Sequence, residues 1–144
     1  MRCAGLASLE PLHCASLIRL PEEIGNLRQL TLLDCEGCRA LQSLPDSLSS
    51  LQRLQAINLA GCTALQHLPD HVSALTALTR LQLTHCASLL DLPADLTTLT
   101  RLCEFARYGC TSLKLSSRFA AWTALLYCHR IERRFGSSPH SDIC

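Results

Sequence analysis

Leucine recurs along this chain at a spacing of three that is broken by one step of four and one step of two. A full unit runs Cys38, Leu41, Leu44, Pro45, Leu48, Leu51, Leu54, Ile57, Leu59, and Cys62 then opens the same series again. As a pattern it is CxxLxxLPxxLxxLxxLxxLxLxxC, a unit of two dozen positions. The step of two, Ile57 to Leu59, is the alternation of a short β-strand, whose successive side chains point to opposite faces. The spacing of three after the proline suits a 3₁₀ turn or a short α-helix. Pro45 reads as a first helical position, where a missing N–H costs nothing, and Asp46 and Asp70 fall in the first turn, where negative charge is favoured. Each unit is expected to be a strand, a turn and a short helical return.

The same period appears in independent ladders. Cys14, Cys38, Cys62, Cys86 and Cys110 are spaced by one unit each, and so are Leu17, Leu41, Leu65, Leu89 and Leu113. The pairs Leu20-Pro21, Leu44-Pro45, Leu68-Pro69 and Leu92-Pro93 keep the same register. One such unit cannot bury its own leucines, whereas stacking gives each an apolar neighbour above and below. Composition agrees: hydrophobic residues make up 48% of the chain but aromatics only 4%, which fits many small equivalent layers better than one irregular centre.

On these residues the chain resembles the leucine-rich repeats. LQAINLAGC (54–62) and LTRLQLTHC (78–86) match the LxxLxLxxN/C core of that family. The LPxxLxxLxxL continuation looks like the cytoplasmic repeats of plant disease-resistance receptors and of related algal and bacterial effector proteins. The resemblance covers roughly residues 6 to 113. It implies an α/β fold: a leucine-rich-repeat solenoid with short parallel strands on the concave face, short helical or 3₁₀ segments on the convex face, and a C-terminal capping helix. It also implies a non-enzymatic protein–protein interaction module, set in immune signalling or acting as an effector, with a cytoplasmic location. The partner is then another protein, with no cofactor.

In that architecture the variable positions around the two strand leucines point out from the concave sheet. Here the candidate partner-binding residues are Asp34, Glu36, Asn58, Arg80, Gln82, Thr84, His85, Glu104 and Tyr108. Inward positions hold leucine almost every time while these change from unit to unit, as expected if stability sets the first group and recognition is free to set the second. Asp34 and Glu36 make an acidic end, followed by a mixed patch. Arginine and tyrosine are enriched at binding hot spots, so Arg80 and Tyr108 stand out. Arg107 replaces an inward aliphatic residue in the last repeat, which is expected to be distorted or partly open there.

The cysteine ladder has three readings: packing, metal binding or a redox relay. The family places asparagine, cysteine or threonine at this point, turned inward, and cysteine serves there as a small buried hydrophobe with a weak S–H donor. Cys35 and Cys38 form a CxxC, but both fall on inward positions, and a structural zinc would need two further ligands that are not local. His85 and Cys86 are adjacent, yet neighbours on a strand point to opposite faces and should not pair. Cys128-His129 raises the same question, and too little chain follows Cys110 for a cysteine ligase domain. No phosphate-binding glycine loop and no HExxH occurs.

Net charge is +1, so no strong global field draws nucleic acid or anionic membrane. No stretch approaches the roughly 18 to 20 apolar residues of a membrane span. Glu10 and Pro11 interrupt the first apolar run too early for a secretory leader, so the thiols are expected to be reduced. Three segments are expected: repeats over 1–113, a capping helix over 114–135 and a disordered tail over 136–144. Ser117 is the expected N-cap of that helix, with Ala121, Leu125, Cys128, Ile131 and Phe135 on its apolar side, Trp122 beside them, and Arg130, Arg133 and Arg134 opposite. At the other end Pro11 shortens the first strand and no cap precedes Leu6, which points to a fragment of a longer receptor or to self-association through the uncapped repeat. The alternatives to protein recognition are a cysteine-based redox or metal-responsive protein, and a self-assembling fragment of a longer receptor.

Overall fold

The computed structural model describes residues 8–9, 14–117 and 119–124. Among the described residues five short strands, β1 (Ser8–Leu9), β2 (Leu32–Asp34), β3 (Ala56–Asn58), β4 (Arg80–Gln82) and β5 (Glu104–Ala106), form one parallel sheet in chain order. Every registered pair lies one repeat apart: Leu33 faces Ile57, Ile57 faces Leu81 and Leu81 faces Phe105. The 3₁₀ turns η1 (Glu22–Asn26), η2 (Asp46–Ser50), η3 (Asp70–Ala74) and η4 (Ala94–Thr98) line the opposite side.

The spacing of three has a direct physical cause. Leu41 donates its amide to the Cys38 carbonyl (3.1 Å), Leu48 to Pro45 (3.1 Å), Leu51 to Leu48 (3.0 Å) and Leu54 to Leu51 (3.0 Å). Each of these inward leucines closes a turn onto the carbonyl three residues back, so the hydrogen-bond step and the apolar step coincide. The same bonds recur one repeat later at Leu65, Val72, Leu75 and Leu78. Pro45 is not the first helical residue that the sequence suggests. Its backbone is extended (φ −73°, ψ 150°) and its carbonyl accepts the first bond of η2, which makes it the N-cap, and Pro21 and Pro69 do the same. A five-residue 3₁₀ turn is too short to need the proline inside it. Asp46, Asp70 and Asp95 do sit in the first turn.

Repeats are stitched along two lines. One is the sheet. The other runs on the descending side, where Gln42 donates to Ile18, Gln66 to Gln42, Leu90 to Gln66 and Lys114 to Leu90 at 3.0–3.3 Å. Between these lines lies one continuous apolar core, with no buried polar or charged residue among the described residues. Leu44, Leu68 and Leu92 are 6%, 4% and 7% exposed, and Leu41, Leu65 and Leu89 are fully buried.

The last repeat is looser. Arg107 is exposed and Phe105 only half-buried, so β5 lacks the aliphatic inward residue of the earlier strands. Aromatic rings close this end: Trp122 packs on Phe105 (5.4 Å between centroids) and on Phe119 (6.1 Å, edge to face). Residues 119–124 are helical, but two expectations about this helix need correction. The Ser116 carbonyl accepts the Phe119 and Ala120 amides, so the helix starts one residue before the expected Ser117 cap. Ala121 is exposed and Phe119 buried, because Phe119 and Trp122, three apart, share the face that meets β5. Leu125, Cys128, Ile131, Phe135, Arg130, Arg133 and Arg134 lie outside the described residues, as do Leu6, Pro11 and the expected tail.

Leu65→Ala is expected to lower stability by about 2–5 kcal/mol, because a stacked column relaxes little around a cavity. Gly25→Ala should also destabilise, since its new Cβ would stand 2.6 Å from the Ser47 carbonyl oxygen of the next turn. Urea denaturation checks both, with exposed Gln66→Ala expected within about 0.5 kcal/mol of the parent.

Candidate functional site

Strand register turns the outward positions into two straight rows. Leu32, Ala56, Arg80 and Glu104 face one another in sequence, and Asp34, Asn58, Gln82 and Ala106 form the neighbouring row. Backbone bonds continue the alignment past the strand ends, from Gly37 to Ala60, Gly61 to Thr84 and His85 to Tyr108. The rows flank a shallow groove of about 420 Å³ that brings together six of the nine expected residues: Asp34, Glu36, Asn58, Arg80, Gln82 and Glu104. Thr84, His85 and Tyr108 do not line it and lie at the strand exits beside it.

The two halves of the face differ in how far their polar groups are committed. On β2 and β3, Asp34 Oδ1 accepts the Glu36 amide (3.0 Å) and Asn58 Oδ1 accepts the Ala60 amide (3.1 Å). Asn58 Nδ2 also donates to Glu36 Oε2 at 3.1 Å. Asp34 and Asn58 therefore fold the strand exits through their own turns, a structural duty the sequence reading left out. On β4 and β5, the side chains of Arg80, Gln82 and Glu104 make no hydrogen bond or ion pair among the described residues. Arg80 and Glu104 are registered neighbours of opposite charge, both exposed.

Beside them lies the largest exposed ring on the face, Tyr108, 78% accessible. It meets His85 edge to face, with centroids 5.6 Å apart. His85 has φ 61°, where the other repeats place Gly37, Gly61 and Gly109 at φ 74–79°. A non-glycine residue in this left-handed region carries strain of order 1 kcal/mol or more. Gly109 has a second reason to be glycine, because a Cβ there would run into the His85 ring.

The cysteine ladder is internal along most of its length. Cys38, Cys62 and Cys86 are fully buried, Cys110 is half-buried and Cys14 is exposed. Cys62 Sγ donates to the Cys35 carbonyl (3.2 Å), Cys86 Sγ to Leu59 (3.2 Å) and Cys110 Sγ to Leu83 (2.9 Å). Each thiol thus satisfies a carbonyl of the preceding repeat. Burial pushes the thiols of Cys35, Cys62 and Cys86 up to about 12, and neighbouring ladder sulfurs push the same way. Burial also raises Cys110. Cys14 departs from the expectation of five equivalent inward rungs, and Cys103 departs from the expectation of reduced thiols: it is disulfide-bonded. Cys103 occupies the half-exposed place before a strand that Thr31 and Thr79 hold in other repeats, so it lacks the cage that surrounds the rungs. Among the described residues no group of three or more His, Cys, Asp or Glu is placed to hold a metal ion. His85 is exposed while Cys86 is buried, so they form no thiol–base pair.

A second depression, of about 560 Å³, lies where the chain descends toward the 3₁₀ turns, and Asp46, His67, Asp70 and Asp91 border it. His67 Nδ1 lies 2.9 Å from Asp91 Oδ1, and both side chains are more than half exposed. The sequence carried a signal for this pair, because Ser43, His67 and Asp91 stand one repeat apart in the column before each Leu-Pro. An exposed pair of this kind is worth little to stability. No described helix is long and apolar enough to cross a membrane.

A family model for a leucine-rich repeat region matches residues 8–133. No curated protein matches the chain. Solved structures do: the leucine-rich repeat domain of the type III effector XopL is 27% identical, with 72% of this chain and 54% of that one covered and a TM-score of 0.47. The functional domain of InlJ from Listeria monocytogenes, whose structure includes a cysteine ladder, is 21% identical over 78% of this chain and 34% of its own, with a TM-score of 0.38. A leucine-rich repeat protein of Leptospira interrogans is 21% identical over 65% of this chain and 35% of its own, with a TM-score of 0.31. The chain spans about half or less of the length of each.

Two outcomes are expected for the thiols. Mapped alkylation of the native protein at pH 8 should label Cys14 and leave Cys35, Cys62 and Cys86 unlabelled until denaturant is added. The thiols' contribution to stability should be constant below pH 9 and stability should fall as pH rises from 9.0 toward about 12, because the unfolded thiols lose protons that the folded ones keep. Denaturation midpoints across that range check the slope, which should be shallower in Cys62→Ala.

Proposed function

The chain belongs to the leucine-rich-repeat family, and from that premise we propose that it is a non-enzymatic module that recognises another protein on its concave strand face. The observation that carries the proposal is the set of uncommitted polar side chains on β4 and β5, Arg80, Gln82 and Glu104, beside exposed Tyr108. A polar group with no internal partner adds nothing to folding, and it is available to pair across an interface, where charged and aromatic groups set specificity and anchor binding. Asp34 and Asn58 contribute mainly by holding the face in shape. The LPxxLxxL repeats favour an immune-recognition or effector setting for this module, and a cytoplasmic one.

The cysteine-based alternative is the weaker reading. A reactive thiol needs a stabilised thiolate and access, whereas Cys35, Cys62 and Cys86 are buried and held protonated. The scaffold uses the ladder thiols to satisfy carbonyls between repeats.

Cross-linked capture by the intact chain should be lost or reduced about tenfold or more in Arg80→Ala/Glu104→Ala and in Tyr108→Ala, in line with hot-spot truncations of more than about 1.4 kcal/mol. The control His67→Ala/Asp91→Ala, on the descending side, should keep capture. Thermal melts should be nearly unchanged in all three, because the altered side chains are exposed. Equal capture by parent and concave-face variants would refute the assignment.

A further inference from the structure

The corner that follows each strand is held by the same backbone bond in successive repeats. Gly37 donates its amide to the Ala60 carbonyl (2.8 Å), Gly61 to Thr84 (2.8 Å) and His85 to Tyr108 (2.7 Å). All three residues, and Gly109 after them, are left-handed, a conformation that glycine adopts without strain. The scaffold therefore asks nothing of an imidazole at this place: glycine makes the same bond and takes the backbone angle more easily. We propose that His85 is a positioning residue for recognition, whose ring holds the exposed phenol of Tyr108 in the orientation in which it meets the partner protein. The proposal rests on the reading of Tyr108 as part of the recognition face and names the residue that prepares it.

Three observations support this role. First, the imidazole does nothing for the interior: His85 is exposed, and its ring makes no hydrogen bond or ion pair among the described residues. Its contact is with Tyr108, at an interplanar angle of 79° with 5.6 Å between centroids, inside the range of about 4.5–7 Å that aromatic quadrupoles favour. Second, the ring lies over the corner of the next repeat. A Cβ at Gly109 would strike its Nδ1, Cε1 and Cγ atoms, so the imidazole fills the space that a side chain at 109 would take, directly beside Tyr108 in the chain. Third, Tyr108 has little else to hold it. It is 78% accessible, and among the described residues it meets no other ring and its hydroxyl makes no hydrogen bond.

An aromatic side chain that turns freely at a surface loses that freedom when a partner covers it, and the loss weakens binding. Held beforehand, the same ring docks with less to give up. Aromatic anchors gain most from such preorganisation, because their contact area is large and only two torsions need fixing. Histidine is also among the few non-glycine residues that the left-handed region admits with moderate strain, as asparagine is. Asparagine would satisfy the corner about as well, but it brings no ring. The contrast between those two separates a residue that is merely tolerated from one that acts on Tyr108.

The test compares the full chain with its His85→Gly, His85→Asn and His85→Phe variants, all in a Tyr127→Phe background that leaves Tyr108 the single tyrosine. Fluorotyrosine incorporated there reports ring order through fluorine NMR relaxation. His85→Gly and His85→Asn should melt no lower than the parent and show a more mobile Tyr108 ring. They should also need about three- to tenfold more chain for half-maximal cross-linked capture of the species that the parent captures. His85→Phe, a ring without nitrogens on a more strained corner, should melt lower yet recover ring order and capture. Equal ring order in the parent and His85→Gly overturns the proposal, as does capture that varies independently of ring order across the four chains, or a melt for His85→Gly well below the parent's. If Tyr108→Ala loses capture in any of those cases, only the positioning role falls. If Tyr108→Ala captures as the parent does, Tyr108 leaves the recognition face and the proposal falls with that reading.

Discussion

The amide of an inward leucine, bonded to the carbonyl three residues earlier, is the constraint on which the rest of this molecule depends. A chain that turns this tightly buries peptide groups that have neither an α-helix nor a long strand to satisfy them, and an unsatisfied one costs about 1–3 kcal/mol. Here Leu41, Leu48, Leu51 and Leu54 satisfy them within the unit. The bonds between Gln42, Gln66 and Leu90, together with the cysteine thiols, satisfy others between units. Burial of leucine and satisfaction of the backbone are therefore one requirement, which holds the repeat length constant through every registered pair of strands.

Because folding is secured from the inside, the outward positions on the sheet are relieved of it, though not uniformly. Asp34 and Asn58 show the limit: their side chains close the turns at the ends of β2 and β3, so altering them disturbs the strand exit as well as the surface. Gln82 and Ala106, at the same place on β4 and β5, make no such bond among the described residues. The face is thus half scaffold and half surface, and the division follows side chains able to accept an amide two residues on.

The core and the strand order were legible in the sequence because their cause is periodic. Leu44, Leu68 and Leu92 stand in one column of the text and in one column of the core. Features that depend on one residue meeting another across repeats were less legible. Nothing in the pattern distinguishes Pro45 as a cap from Pro45 inside the turn, because that depends on which carbonyl Leu48 selects. The face of the terminal helix was misjudged by placing Ala121 on the apolar side, whereas ring contact with Phe105 decides it and brings Phe119 inward. Cys103 was expected to share the reduced state of the other thiols, although its repeat position is half exposed. Of the candidate surface, the alignment of residues followed from the period, but the separation of bonded from uncommitted groups required knowing where each side chain lies.

His85 is where scaffold and surface are in open conflict. The repeat demands a left-handed residue at this corner and elsewhere supplies glycine, the least strained choice. Histidine here costs conformational energy yet adds a ring that supports Tyr108, and the next repeat accommodates that ring by keeping Gly109 without a Cβ. Leucine burial does not account for this arrangement, since His85 and Tyr108 are both exposed. A strained, solvent-facing residue that fixes an aromatic neighbour is better explained by what the ring will touch than by what the fold requires. It therefore extends the proposed recognition surface from the groove of Arg80 and Glu104 to the strand exits.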